Sequence, residues 1–176
     1  MLVIRKLEKT DSKVDFSCGV PALDEFFARQ SWAHHAKSRA NRVYVIADDA
    51  NDEVLGFYTL SAKEIERARL DGVVPKSAPP HPLGVFYIGY FAVAEARQGQ
   101  GLGRRLMGDA LRRCIEGADT FGAVGVFLDS LDDASTSFYR RLGFVDVPRA
   151  AGASVDGPQP MILPMPVLLA SRSGSR

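Results

Sequence analysis

The sequence has no run of 18 apolar residues. It also has few cysteines and histidines, which stabilise small proteins through disulfides and metal sites. Only two cysteines occur, Cys18 and Cys114, which excludes a disulfide framework and favours reduced thiols inside a cell. Its three histidines have no Cys or His partners at zinc spacing, so no metal site is predicted. Since a charged-then-apolar leader is also missing, we expect a cytoplasmic protein that does not contact membranes.

Net charge is also nearly absent, because 22 Lys and Arg stand against 21 Asp and Glu. Any basic surface must therefore come from local clustering. One cluster spans positions 29–42, which hold four Lys or Arg, two His and no acidic residue. This segment is either a solvated helix face or a surface for nucleic-acid phosphates. The length suits one domain, 1–168, followed by a disordered tail, 169–176.

The chain is organised around positions 84–116. Val, Ile, Phe and Tyr dominate 85–93 and predict a buried strand. Apolar residues then recur at steps of four from Leu102 to Cys114, the pattern of an amphipathic helix.

The turn between strand and helix, 98–103, reads Gln-Gly-Gln-Gly-Leu-Gly. Glycine costs about 1 kcal/mol in a helix relative to alanine, so three of them predict close approach of another group to the backbone. A glycine-rich turn at a helix N-terminus binds phosphate groups, and a pyrophosphate is the expected guest. The turn lacks the Gly-Lys-Ser/Thr of a Walker loop and the one, three, six glycine spacing of a Rossmann fold.

The turn does match the pattern Gln/Arg-x-x-Gly-x-Gly/Ala, and here the chain resembles the GNAT acyltransferases. The resemblance implies that the turn binds the pyrophosphate of acetyl-CoA, and that a bulged end of the preceding strand pairs with the pantetheine arm. The implied coenzyme-binding residues are Phe91, Ala92, Val93, Gln98, Gly99, Gln100, Gly101, Leu102, Gly103, Arg104 and Ser135.

A second GNAT signature, Phe/Leu-Tyr-x-x-x-Gly-Phe, is matched within 132–144. Both signatures imply an α/β (α+β) fold, with a mixed, mostly antiparallel sheet of six or seven strands and about four helices. The motif tyrosine is Tyr139, which the resemblance implies is the general acid that protonates the leaving thiolate; a phenol pKa near 10 suits that task. The alternative is a packing aromatic like Phe138, which spacing predicts to be the better buried. Glu95 and His81 are candidate bases only by nearness in sequence.

The segments 16–27, 56–62 and 160–165 make the chain similar to the GNAT toxins of type II toxin–antitoxin systems. That resemblance implies acetylation of the α-amine of aminoacyl-tRNA and neutralisation by a ribbon-helix-helix antitoxin. A homodimer would extend the basic surface. The arginines and lysine implied to hold tRNA phosphates are Arg29, Lys37, Arg39, Arg42, Arg97, Arg105 and Arg140, with Arg104 and Arg141 beside them.

Two other functions stay open at this point. One is a GNAT enzyme that acetylates a small amine or a protein N-terminus, in which the basic segment is only a solvated face. The other is a catalytically inactive module that keeps the coenzyme site as structure.

Overall fold

The computed structural model describes residues 1–11, 15–50 and 52–173. Two compact units are present, one formed by Met1–Ser61 with Ile88–Arg112 and the other by Ala62–Tyr87 with the chain from Arg113 onward. The described residues form seven strands, which are β1 Leu2–Lys6, β2 Arg42–Asp48, β3 Glu53–Ile65, β4 Leu83–Val93, β5 Gly125–Ser130, β6 Val145–Asp146 and β7 Gln159–Pro164. The same residues form four α-helices, which are α1 Pro21–Glu25, α2 Leu102–Ala118, α3 Asp133–Arg141 and α4 Met165–Ser173.

In the first unit the strands follow the order β1-β2-β3-β4. β2 and β3 form an antiparallel pair with Tyr44 opposite Tyr58. The core of this unit is aromatic: the ring of Phe57 lies 4.4 Å from that of Phe27 and 5.4 Å from that of Phe16. β-Branched residues of β2 complete the core and suit a pleated, buried surface.

The helical segment after Val20 differs from a regular helix. Pro21 occupies its first turn, where a residue needs no N–H donor. From Phe26 the turns widen, and π-type segments follow at Phe26–Gln30 and Ala33–Lys37.

In the second unit the strands follow the order β4-β5-β7-β6. β5 and β7 are antiparallel, with Phe127 opposite Ile162, and both side chains are buried in this unit's core. β4 and β5 are sheet neighbours connected in sequence through α2, so the predicted strand and helix of positions 84–116 form a strand-helix-strand unit with β5. Gly143 ends α3 at φ 97°, the left-handed conformation expected of a glycine in this position.

Two segments differ from the sequence-based expectations. β3 continues to Ile65, beyond the segment 56–62 that carries the toxin resemblance, and a 3-10 turn follows at Arg67–Leu70. The last strand is followed by α4, which includes residues 169–173 of the predicted tail; Leu168, only 4% exposed, anchors this helix. Residues 174–176 lie outside the described part of the chain. Within that part, no helix has the length and apolarity needed to cross a membrane.

Candidate active site

The glycine-rich turn lies where β4 ends and α2 begins. Gly99 and Gly101 adopt φ values of 75° and 81°, a backbone conformation that glycine accepts without strain. Nothing lies within 4 Å of the position that a Cβ would take at either residue. The expected close approach is therefore not made by any described part of the protein, and the turn leaves room for a ligand beside its backbone.

The two glutamines of the turn fix its shape. Gln98 Nε2 donates to the carbonyl oxygens of Cys18 and Val93, both at 3.1 Å. Gln100 Nε2 donates to the carbonyl of Ala96 at 3.2 Å. Because both side-chain amides bind backbone carbonyls, the groups left for a ligand are the backbone amides of the turn and of the first turn of α2.

The end of β4 passes very close to β3. A Cβ on Gly56 would lie 2.8 Å from the carbonyl oxygen of Ala92 and 2.9 Å from a methyl of Leu106, so only glycine fits there. The amide of Tyr90 donates to Thr59 Oγ1 at 2.9 Å, so a side chain satisfies this backbone group. Sequence reasoning missed Gly56 and Thr59. An isolated glycine inside a strand pattern was the available signal for the first.

The remaining coenzyme-binding candidates of this unit lie around the same turn. Ala92 and Leu102 are each 5% exposed and anchor the strand and the helix. A Cβ added at Gly103 would lie 3.9 Å from a methyl of Val93 and 4.0 Å from the ring of Phe91, which is ordinary van der Waals distance. Arg104 is exposed on the first turn of α2, where a cation would add to the positive end of the helix dipole.

In the second unit, α3 is tied to the end of β5. Asp132 is the N-cap and accepts from the Ser135 amide at 2.7 Å. That hydrogen bond lowers the pKa of the Asp132 carboxyl. Thr136 Oγ1 lies 2.9 Å from Ser130 Oγ and donates to the Asp132 carbonyl at 2.8 Å. The Ser135 hydroxyl also interacts with the Asp132 carboxyl, so both polar groups of this coenzyme-binding candidate face the cap.

Tyr139 is buried in the second unit, with its ring 5.4 Å from that of Phe138 and 5.8 Å from that of Phe144. Burial, with a smaller effect of the Asp132 charge, raises its pKa to about 12. The hydroxyl therefore stays protonated across the physiological range. The prediction that Phe138 is the better buried of the pair is wrong, since Phe138 is half-buried and Tyr139 is 7% exposed; α3 turns the tyrosine inward.

The predicted phosphate-binding residues fall into two groups. Five side chains already have partners: Arg29 lies near Glu25 (3.6 Å), Arg42 donates to the His35 carbonyl (2.9 Å), Arg97 lies near Glu53 (3.6 Å), Arg105 donates to the Leu2 carbonyl (3.3 Å), and Arg140 binds Asp146 (2.6 Å). Lys37, Arg39 and Arg104 are exposed and make no ion pair or hydrogen bond with any described side chain.

Arg97 lies in an acidic environment. It lines a cleft of about 660 Å³ in the first unit, together with Asp15, Asp52, Glu53 and Glu95. Four carboxylates around one guanidinium repel phosphate, so Arg97 is the weakest of the predicted nucleic-acid contacts.

The histidines form no metal site, and the described residues contain no cluster of His, Cys, Asp or Glu able to hold a metal. His35 is buried, and its Nδ1 accepts from the amide of Val43 at 3.0 Å. His81 is exposed beside Pro82, and the Glu95 carboxylate lies near the backbone of Gly19. Both thiols are free and buried, and burial raises the pKa of Cys18 to about 11 and that of Cys114 to about 12.

The loop, strand and helix arrangement defines an acyltransferase of the GNAT class. The acetyltransferase (GNAT) domain model matches residues 39–146, and the chain belongs to this family. The predicted family and fold are thereby confirmed.

The chain is also similar to individual proteins, by sequence in one case and by structure in two others. The chain is 31% identical over 140 residues to the tRNA-acetylating toxin of Mycobacterium tuberculosis, covering 80% of this chain and 82% of the relative. A solved bacterial toxin superposes with a TM-score of 0.89 at 26% identity, over 100% of this chain and 97% of the other. A mutant of the toxin AtaT bound to the C-terminus of the antitoxin AtaR and acetyl-CoA is similar in fold alone, with a TM-score of 0.78, 22% identity and 98% of both chains covered.

Proposed function

We propose that the protein acetylates the α-amino group of aminoacyl-tRNA, with acetyl-CoA as the acyl donor, and so blocks translation. The observation that carries this proposal is the 31% identity to a tRNA-acetylating toxin over most of both chains. The alternative GNAT substrates, a small amine or a protein N-terminus, become outcomes of the test below.

The glycine-rich turn is the proposed pyrophosphate site. Gly99 and Gly101 leave open space beside amides that precede α2, and the helix dipole favours an anion there. Arg104 supplies a side-chain cation on the same first turn. The backbone of Phe91, Ala92 and Val93 is proposed to pair with the pantetheine arm.

Tyr139 is the proposed proton donor. Attack of the amine on the thioester carbonyl forms the carbon–nitrogen bond and breaks the carbon–sulfur bond. The sulfur leaves as a thiolate, which a phenol stabilises by donating a hydrogen bond, and the proton that the amine nitrogen loses then converts the thiolate to the thiol. A thiol has a pKa of about 8.5, whereas that of Tyr139 is about 12, so complete proton transfer from the phenol is uphill. The proposed contribution of Tyr139 is therefore hydrogen-bond donation as the thiolate forms, with proton transfer following it.

The acceptor amine needs little help from a protein base. An α-amino group has a pKa of about 7.7 to 8, so part of it is already neutral at pH 7. The exposed cations without partners, Lys37 and Arg39, are the strongest candidates among the predicted tRNA contacts, because a paired arginine must first give up its carboxylate or its backbone carbonyl.

Two partners are also proposed. A ribbon-helix-helix antitoxin would neutralise the protein, and a homodimer would extend its basic surface. Both would act in the cytoplasm, where charged tRNA is found.

The test is to incubate the protein with labelled acetyl-CoA and bulk charged tRNA. Label in the aminoacyl fraction, lost with Tyr139→Phe, is the expected result. Label in polyamines or peptides but not in aminoacyl-tRNA would replace the proposal with the small-amine or N-terminal activity, and binding of acetyl-CoA without turnover would replace it with a catalytically inactive module.

A further inference from the structure

A group of charged and aromatic side chains in the second unit takes no part in the site described above. The Tyr87 hydroxyl, on β4, donates to Oδ2 of Asp129, on β5, at 2.9 Å. Lys63 Nζ, near the end of β3, lies 3.9 Å from that same oxygen and 4.2 Å from the centre of the Tyr87 ring. We call these three residues the Asp129 cluster.

The cluster lies on an aromatic floor. Lys63 Nζ is also 5.2 Å from the centre of the Phe127 ring, and Phe127 belongs to the core of this unit with Tyr87 packed against it. Cations over aromatic faces are held in place without losing their solvation entirely. Lys63 and Tyr87 therefore fix the position of Asp129 from two sides.

Stability alone does not account for this arrangement. The side chains of Lys63 and Asp129 are 40% and 30% exposed, and ion pairs so open to water stabilise proteins little. Both donors converge on Oδ2, and within the described ranges no donor lies within hydrogen-bond distance of Oδ1. A carboxylate with one oxygen fixed and the other open to solvent is an acceptor for an N–H group.

Asp129 lies next to the carboxyl end of β5. It precedes Ser130, whose hydroxyl bonds to Thr136 and so fixes the start of the helix that carries Tyr139. Side chains alternate along a strand, so Asp129 and Ser130 point to opposite faces of β5. In sheets of this kind ligands bind beyond the carboxyl ends of strands, where both residues lie.

We propose that Asp129 binds the amino group of the acceptor, with Oδ1 accepting a hydrogen bond from its N–H while Tyr87 and Lys63 hold Oδ2. The inference rests on the proposed function, because it gives the acceptor amine of that reaction a partner. Asp129 is thus a binding residue for a primary amine, and Tyr87 and Lys63 are positioning residues that act through it.

The test compares Asp129→Asn with Asp156→Asn, which makes the same change of charge in an exposed loop of the same unit. Two measurements are made on the full chain. One is kcat/KM for bulk aminoacyl-tRNA at saturating acetyl-CoA. The other is the calorimetric Kd for methionine methyl ester and for methyl 4-(methylthio)butanoate, which is the same ester without its amino group.

Loss of a hydrogen bond to a charged acceptor predicts a fall of about tenfold in kcat/KM for Asp129→Asn, with unchanged acetyl-CoA affinity and melting temperature. The wild type binds the amino ester more tightly than the deamino ester, and Asp129→Asn removes that difference. Tyr87→Phe, which frees the carboxylate but keeps the ring, lowers kcat/KM by a smaller factor. Asp156→Asn changes neither measurement.

Equal behaviour of the two asparagine variants, or no preference of the wild type for the amino ester, overturns the inference. If the wild type does not acetylate charged tRNA but still prefers the amino ester through Asp129, the proposed function fails and the amine site stands. If charged tRNA is acetylated at the same rate by Asp129→Asn, the inference fails and the proposed function stands.

Discussion

The side-chain amide of Gln98 donates a 3.1 Å hydrogen bond to the carbonyl oxygen of Cys18, 80 residues earlier in the chain. A second bond joins the same segments, from the amide of Glu95 to the carbonyl of Ser17 at 2.9 Å. Asp24 in turn holds the earlier segment by accepting from the amide of Cys18 at 2.8 Å. The turn proposed to hold the pyrophosphate is therefore braced by the N-terminal part of the first unit.

Gln98→Ala removes this brace and is expected to raise the KM for acetyl-CoA about five- to tenfold, since the turn must then be ordered by the ligand itself. The effect on kcat should be small, because no group that reacts has changed. Steady-state kinetics with acetyl-CoA varied measures both constants. Gln30→Ala, an exposed glutamine on the helical segment, is the matched control. An unchanged KM for Gln98→Ala would show that the turn keeps its shape without the brace.

Tyr139→Phe tests the hydrogen bond to the leaving sulfur without changing the packing of the ring. Removal of one donor to a developing negative charge costs roughly 10²-fold in rate, so kcat should fall by about that factor, while the Kd for acetyl-CoA and the melting temperature stay unchanged. With its pKa raised to about 12, the wild-type phenol keeps its proton throughout the working range. The rate of the wild type should therefore not decline between pH 8 and pH 10. A loss of less than threefold in kcat would assign Tyr139 a packing role.

The exposed cations of the basic segment are tested by charge removal. Lys37→Gln with Arg39→Gln should weaken tRNA binding, because every phosphate that is no longer neutralised reduces the slope of log K against log salt by about 1. Filter binding of uncharged tRNA between 50 and 250 mM salt measures both the affinity and the slope. Lys76→Gln, an exposed lysine outside the basic segment, is the control. An unchanged slope in the double variant would mean that the basic segment is a solvated face.

The sequence predicts the local features of the site better than the contacts between distant segments of the chain. The glycine turn and the Asp132 cap follow from residue type and spacing, so they are predictable from short stretches. The brace between Gln98 and Cys18 and the close passage of Gly56 beside Ala92 depend on tertiary approach, which no local pattern encodes.

Ion pairs between distant segments are equally hard to predict from the sequence. Arg140 is one of the residues that the toxin resemblance implies hold tRNA phosphates, yet its guanidinium makes two hydrogen bonds to Asp146. The Asp129 cluster is likewise invisible to sequence reasoning, because Lys63, Tyr87 and Asp129 come from three strands that only the sheet brings together.

His35 makes stability depend on pH. Its Nδ1 accepts from the amide of Val43, and an imidazolium has no acceptor there. Burial, with smaller effects of Arg42 and Lys6, lowers its pKa below the usual 6.5. Since the unfolded chain then binds a proton more readily than the folded one, the free energy of unfolding is highest above about pH 6.5 and decreases as the pH falls below it.

Urea unfolding at pH 8 and pH 5 measures this difference. His35→Asn keeps an acceptor for the Val43 amide but has no proton to gain, so part of the acid-induced loss should disappear. The exposed variant His81→Asn should retain it. An equal loss in the wild type and in His35→Asn would assign the acid sensitivity to other groups.

Substitutions at two glycines, one just before α2 and one within it, distinguish the effect of backbone strain on stability from the effect of helix propensity. Gly101, at φ 81°, precedes the helix, whereas Gly108 lies inside it, and no atom lies within 4 Å of a Cβ built at either position. Gly101→Ala should lower the free energy of unfolding by roughly 1–2 kcal/mol, because alanine is strained in the left-handed region. Gly108→Ala should raise it by about 1 kcal/mol through helix propensity alone. Only Gly101→Ala should also weaken acetyl-CoA binding, measured by calorimetry, since only that change distorts the turn; equal affinities in the two variants would contradict the assignment of the pyrophosphate site.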